Sequence, residues 1–293
     1  MQGYHTISIP DAGHMLYMPT ELAYCDTNQY VAFNELLYKW NANEISYEDL
    51  RIHAIYKLLN IEKSTTKLNS IEEQNKLSNI YALSELIDSF FDVSEEKYTV
   101  KLNFQHNPME IIKPMFDTHH GPSDYFKNVT FGQYLDGLNL YFEYATHKEA
   151  HLLNMLLATF YLPKYNPETV EKEAKKLEKY PIGYAYGMFT FFGAFQLFIN
   201  DTQVSWEGKT IDLTILYKEI GPEGYKSDIP SLGMKSVAYQ LAETGVFGDY
   251  EKVRNTPLWE VILRLYDMRK RDIDNYKQEQ KLKNKQKWTQ SLG

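Results

Sequence analysis

The sequence predicts a mainly α-helical protein, a helical bundle of packed helical hairpins with a few short β-strands. Three observations carry this. Apolar residues recur three and four apart through most of the chain. Residues that cap helices well stand before several of those runs. Clean alternation of apolar and polar residues is confined to short segments.

Residues 4–9 (YHTISI) read as a strand ended by Pro10, with loop signals through Gly13 and Pro19. Thr27 is placed to cap a helix in which Tyr30, Phe33, Leu37 and Trp40 share a face. Asn41 and Asn43 break it. Ser46 caps the next helix, with Asp49 three residues on as a capping-box analogue. After a polar stretch at 60–70, a helix is expected near 71–91 with Leu77, Ile80, Leu83, Leu86 and Ile87 on its apolar face. Residues 97–104 (KYTVKLNF) alternate, with Tyr98, Val100, Leu102 and Phe104 on one side, as in a half-buried strand.

A long connection with prolines and histidines leads to Thr130, which caps FGQYLDGLNLYFEY. A further helix covers about 147–162 and stops at Pro163. A charged helix at 167–180 precedes an uncharged run, 181–199. That run just reaches the ~20 residues of a membrane span. Pro181, three glycines, Thr190 and Gln196 favour instead a helix packed on all sides inside the protein. QVSWEGKTIDL reads as a hairpin around Glu207-Gly208, and the chain is helical again from about 231, with a break at 245–248.

The two halves echo each other. Gln29-Tyr30 and Gln133-Tyr134 each follow a capping threonine, and Tyr56 and Phe160 each stand 27 residues beyond the glutamine. Two pseudo-repeats of a strand, a loop and two helices would produce this pattern. The expected organisation is a strand plus helical unit at 1–100, a second at 101–230, and a helical region with a basic tail at 231–293.

The chain of 293 residues has 31 Lys and Arg against 39 Asp and Glu, a net charge of −8. Residues 269–287 run the other way, with 8 basic and 3 acidic residues. An acidic body repels nucleic acid on average, and the Gln, Asn and Glu interleaved in the basic stretch, which begins at Arg269, Lys270 and Arg271, suggest a solvated helix or a docking arm for an acidic partner. No nucleic-acid or membrane partner is expected. A lone cysteine, Cys25, allows no intrachain disulfide and reads as a buried thiol. The N-terminus has neither the basic nor the long apolar region of a secretory signal.

Catalytic signatures are absent from the sequence. His147 and His151 stand four apart, which on one helix suits a metal, but neither zincin pattern is met. A solvated helix face is the plainer reading, as a surface loop is for His119-His120. No phosphate loop or G-x-S-x-G elbow occurs. The expectation is a protein that is not an enzyme, with no cofactor and no metal.

Four segments together resemble a known group. They are ISIP with YMPTELAYCDTNQYVAFNELLYKWNANEISYEDLRIHAIYKLL, VTFGQYLDGLNLYFEYA with LLATFYLP, YPIGYAYGMFTFFGAFQLFI, and LAETGVFGDYEKVRNTPLWEVILRLYDMRK. Their order resembles tail-assembly chaperone-like proteins of Bacteroidetes phages and prophages, encoded near the tape-measure protein. The resemblance implies a non-catalytic morphogenesis protein that binds the tape-measure protein, with self-association as a second contact. A structural virion component of neck, tail or baseplate is the alternative, and a metal-binding protein or enzyme the second. The first places the chain in the host cytoplasm during assembly, the second in the virion. A tape-measure chain exposes an apolar helical stripe, and an aromatic surface would cover it. Tyr24, Tyr30, Phe33, Tyr38, Tyr134, Tyr141 and Phe142 are the candidate aromatic contacts.

Overall fold

The computed structural model describes residues 3–9, 14–61, 70–95, 97–113, 118–162, 164–217 and 234–290. Pro10, Gly13, most of the polar stretch at 60–70, residues 114–117 of the long connection and Pro163 lie outside them. The described elements are β1 (Tyr4–Ile9), β2 (His14–Pro19), α1 (Thr27–Asn41), α2 (Tyr47–Leu58), α3 (Ser70–Ser84), β3 (Phe91–Ser94), β4 (Lys97–Val100), β5 (Ile111–Ile112), β6 (His119–His120), α4 (Phe131–His147), α5 (Ala150–Tyr161), α6 (Val170–Leu177), α7 (Ile182–Asp201), β7 (Gln203–Trp206), β8 (Lys209–Asp212), α8 (Met234–Glu243), α9 (Tyr250–Asn255) and α10 (Leu258–Gln290). The strands pair only as four antiparallel two-stranded ribbons, so the fold is mainly α with a minor β part.

The chain forms two compact units, residues 1–125 with 137–195, and residues 126–136 with 196–293. The boundaries near 100 and 230 drawn from sequence do not coincide with this division.

In the first unit, α7 is the central element. Met188, Phe191, Phe192 and Phe195 are fully buried, and burying side chains of this size contributes about 1.5–3 kcal/mol each. α7 is the one helix among the described residues long and apolar enough to cross a membrane, and most of that stretch lies inside the protein. The stretch is not packed on every side, since Leu197 is 55% exposed. Two glycines four apart, Gly183 and Gly187, let α1 come close. A Cβ on Gly183 would stand 2.1 Å from the Val31 carbonyl oxygen, and one on Gly187 2.9 Å from the Tyr30 ring.

A polar cluster sits in this apolar contact. The Tyr30 hydroxyl donates to the Gly187 carbonyl at 2.9 Å and lies 2.8 Å from Thr190 Oγ1. Thr190 is also 2.8 Å from Asn34 Oδ1, and Asn34 Nδ2 donates to the Tyr30 carbonyl. Every member has a partner, so the cluster costs little desolvation and fixes the register of α1 against α7.

The start of α1 differs from expectation by one residue. Asp26 is the cap and Thr27 the first helical residue, because Asp26 and Gln29 form a reciprocal capping box at 2.9 and 3.0 Å. Gln29 Nε2 also donates to the Leu58 carbonyl at 2.7 Å, tying the start of α1 to the end of α2. Ser46 and Asp49 form the expected box on α2.

Residues 14–19, read as loop, are a strand in full register with β1, Tyr4 opposite Pro19 and Ile9 opposite His14. The strand expected over 97–104 is shorter. Its partner β3 has four residues, and the ladder ends where Phe91 meets Val100. The helix expected near 71–91 ends at Ser84, whose hydroxyl donates to the Tyr81 carbonyl, and continues as a 3-10 helix to Phe90. Ile87 and Phe90 of the 3-10 segment are in the core, whereas Leu77 of α3 is exposed.

The sequence echo has a local counterpart. Thr130 and Gln133 reproduce the reciprocal box of Asp26 and Gln29, at 3.1 and 3.3 Å. α2 and α5 are both 12 residues long. The packing is not repeated, since α1 lies along α2 whereas the close neighbour of α5 is α6.

In the second unit, residues 129–131 pair with 256–258. Phe131 N donates to the Thr256 carbonyl and Leu258 N to the Val129 carbonyl, both at 2.9 Å. Asp136 accepts from Arg254 at 2.6 Å beside this bridge. Phe126, Phe131, Leu213, Leu241, Val253, Leu258 and Val261 form its core. The Glu207-Gly208 turn joins β7 and β8 as expected.

Candidate binding surfaces

The aromatic residues named from sequence separate into three groups. Tyr30, Phe33 and Tyr134 are core. Burial pushes the Tyr30 and Tyr134 hydroxyls up, and each is held by a hydrogen bond, Tyr134 to Gln196 at 3.1 Å. As folded, these three offer nothing to a partner. Tyr38 and Tyr141 are half-buried, edge-on to Tyr186 and stacked on Phe189 respectively. Tyr24 and Phe142 reach solvent, Phe142 with 58% of its surface exposed.

Sequence reasoning missed a set of exposed apolar side chains on α3. α3 exposes Ile71 at 68%, Leu77 at 62% and Tyr81 at 47%. At 100° per residue these three fall within about a third of the helix circumference. Ile80 and Ser84, about 60° and about 20° around the helix from Leu77, are buried near its C-terminal end. Burial in α3 therefore begins only in its last turns, and nearly every position from Ile71 to Asn79 is turned to water. A second exposed strip lies on the β1–β2 ribbon, where Met15 and Tyr17 stand opposite Ser8 and Thr6.

Arg269, Lys270 and Arg271 are engaged locally. Arg269 donates to the Ile215 carbonyl at 3.2 Å, Lys270 to Asp274 at 2.9 Å, and Arg271 pairs with Asp267. The Lys270 contact holds the Asp274 carboxyl below its ordinary range. Farther along α10, Lys277, Lys281 and Lys283 are exposed.

The histidines are not a constellation. His147 ends α4, Lys148 turns the chain at φ 59°, and His151 lies in α5 beside Glu149 at 3.4 Å. The single helix that would have put both imidazoles on one side is broken between them. Among the described residues no group of three or more metal-ligating side chains converges. His119 and His120 belong to β6, paired with Ile112 and Ile111. Cys25 is buried, and burial with the neighbouring Asp26 charge pushes its thiol up, away from reactivity. A surface groove of about 700 Å³ is lined by Asp26, Gln29, His53, Tyr56, Lys57 and Asn60. Its Asp26 and Gln29 are already committed to the α1 cap and to the end of α2.

Compared with protein-family models, curated proteins and solved structures, the chain matches none.

Proposed function

We propose that this chain is a non-catalytic phage morphogenesis protein, a tail-assembly chaperone that binds the tape-measure protein. The observation that carries the reading is the outward apolar face of α3, Ile71, Leu77 and Tyr81. An amphipathic helix presents its own apolar residues at three- and four-residue spacing, and it packs on such a face as helices pack on each other. Tyrosine suits the contact because its ring buries area while its hydroxyl stays wet. The segments that resemble tail-assembly chaperones support the same reading.

The test is co-expression with the tape-measure protein encoded nearby. The soluble fraction of the tape-measure protein is expected to rise, and to fall back with Leu77→Glu and Tyr81→Glu. No rise with the unaltered protein would overturn the proposal. Mass spectrometry of purified particles is the second arm. A chaperone is missing from them, and stoichiometric amounts would move the assignment to a structural virion component.

A further inference from the structure

The charges of this chain are segregated. The first unit holds 24 Asp and Glu against 15 Lys and Arg. The outer part of α10, residues 275–286, holds four lysines and a single acid, Glu279. The inner part of α10 is different, because Asp267 and Asp274 there neutralise Arg264, Lys270 and Arg271. From Lys277 to Gln286 the helix is exposed at every position but Gln280, and the ion pairs of α10 among the described residues do not include Lys281 or Lys283. Lys277 and Lys281 stand one turn apart, a like-charge spacing that disfavours a helix unless an anionic surface lies against it. At 1.5 Å per residue, the helix from 275 to 290 is about 24 Å long, enough to lie across one face of a protein.

We infer that this lysine-bearing stretch of α10 docks on the acidic first unit of a second copy of the chain. The complement is present in every molecule, with an acidic surplus of nine charges in the first unit and a basic surplus of three in the stretch. Such a contact joins two different surfaces, so copies associate head to tail into rings or open chains. The same acidic surplus repels nucleic acid, which favours a protein surface as the occupant. The inference stands on charge placement alone and does not rest on the tape-measure reading. Loss of self-association would leave that reading standing.

The experiment is sedimentation velocity of the full chain over a wide concentration range at about 0.1 M and about 1 M salt, where the screening length falls from about 10 Å to about 3 Å. The unaltered protein is expected to associate at the lower salt, with affinity at least about tenfold weaker at the higher. Lys277→Glu, Lys281→Glu and Lys283→Glu together should give a monomer at both. These positions are exposed, so circular dichroism should show the variant fully folded. A labelled variant, which keeps its acidic unit, should still co-sediment with unaltered protein at the lower salt. A monomeric unaltered protein at 0.1 M, or a variant that associates equally well, would overturn the inference. So would an unaltered protein that stays monomeric and retards a short DNA duplex, which would assign the lysines to nucleic acid.

Discussion

Replacing Gly183 with alanine tests whether α1 and α7 touch backbone to backbone. The added Cβ would stand 2.1 Å from the Val31 carbonyl oxygen and 3.0 Å from its carbon. Ordinary contact begins near 3.4 Å, so α1 and α7 must part by about 1 Å, and overpacking of this kind costs about 1–3 kcal/mol. Alanine offsets up to about 1 kcal/mol through its better helix propensity. With that gain subtracted the net loss is about 0–2 kcal/mol, or a melting temperature lower by up to about 8 °C for a unit of this size. Gly193→Ala is the control in the same helix. The nearest atoms to its Cβ would be the Tyr141 hydroxyl at 3.1 Å, a Leu102 methyl at 3.4 Å and a Tyr141 ring carbon at 3.6 Å, all of side chains. It should melt at or slightly above the unaltered protein. Thermal unfolding followed by circular dichroism gives both values. A Gly183→Ala protein as stable as the control would refute the close approach.

Three further outcomes are expected. Thr190→Val leaves Asn34 Oδ1 without its 2.8 Å partner and should destabilise the protein by about 1–3 kcal/mol in urea unfolding, whereas Tyr30→Phe, which leaves Thr190 bound to Asn34 and Gly187, should cost about 1 kcal/mol. Ile80→Ala should cost about 2–4 kcal/mol, while Leu77→Glu at an exposed position of α3 should fall within about 0.5 kcal/mol of the unaltered protein, and equal losses would refute the difference in burial between these two residues. In alkaline titration followed near 295 nm, Tyr30, Tyr161 and Tyr186, raised by burial, and Tyr144, pushed up to about 12 by burial and Tyr38, should hold their protons above the ordinary value of about 10. Because the folded state keeps those protons, stability is complete below about pH 10 and falls as pH rises through the raised values. Absorbance that completes near pH 10 with helicity intact would contradict their burial.

The helices were legible wherever one face was apolar and a cap preceded it. Ser46 with Asp49, and Thr130 with Gln133, announced α2 and α4 directly. The apolar run at 181–199 announced a buried helix through its glycines and its two polar residues. Three features were hidden for definite physical reasons. β2 was hidden because MLYM shows no alternation, since the outer face of a two-stranded ribbon carries Met15 and Tyr17 rather than polar residues. The exposure of Leu77 was hidden because it stands three residues before the buried Ile80, on the same side of α3, and periodicity does not show where along a helix the packing begins. The locking of Arg269, Lys270 and Arg271 was partly visible, since Asp267 and Asp274 stand four residues from Arg271 and Lys270. The Ile215 carbonyl that holds Arg269 is 54 residues away and left no trace in the sequence.

The second unit is assembled from two pieces of chain, 126–136 and 196–293, with 59 residues of the other unit between them. On the ribosome, Phe126, Val129 and Phe131 emerge long before Thr256, Pro257 and Leu258 are translated, and their apolar side chains must wait uncovered through that delay. At ~5–20 residues per second, the gap of some 125 residues lasts about 6–25 s. Nascent molecules are therefore most vulnerable to heat shock and to premature termination in that window, and a stop codon placed just before residue 256 should yield an aggregate rather than a shorter folded protein.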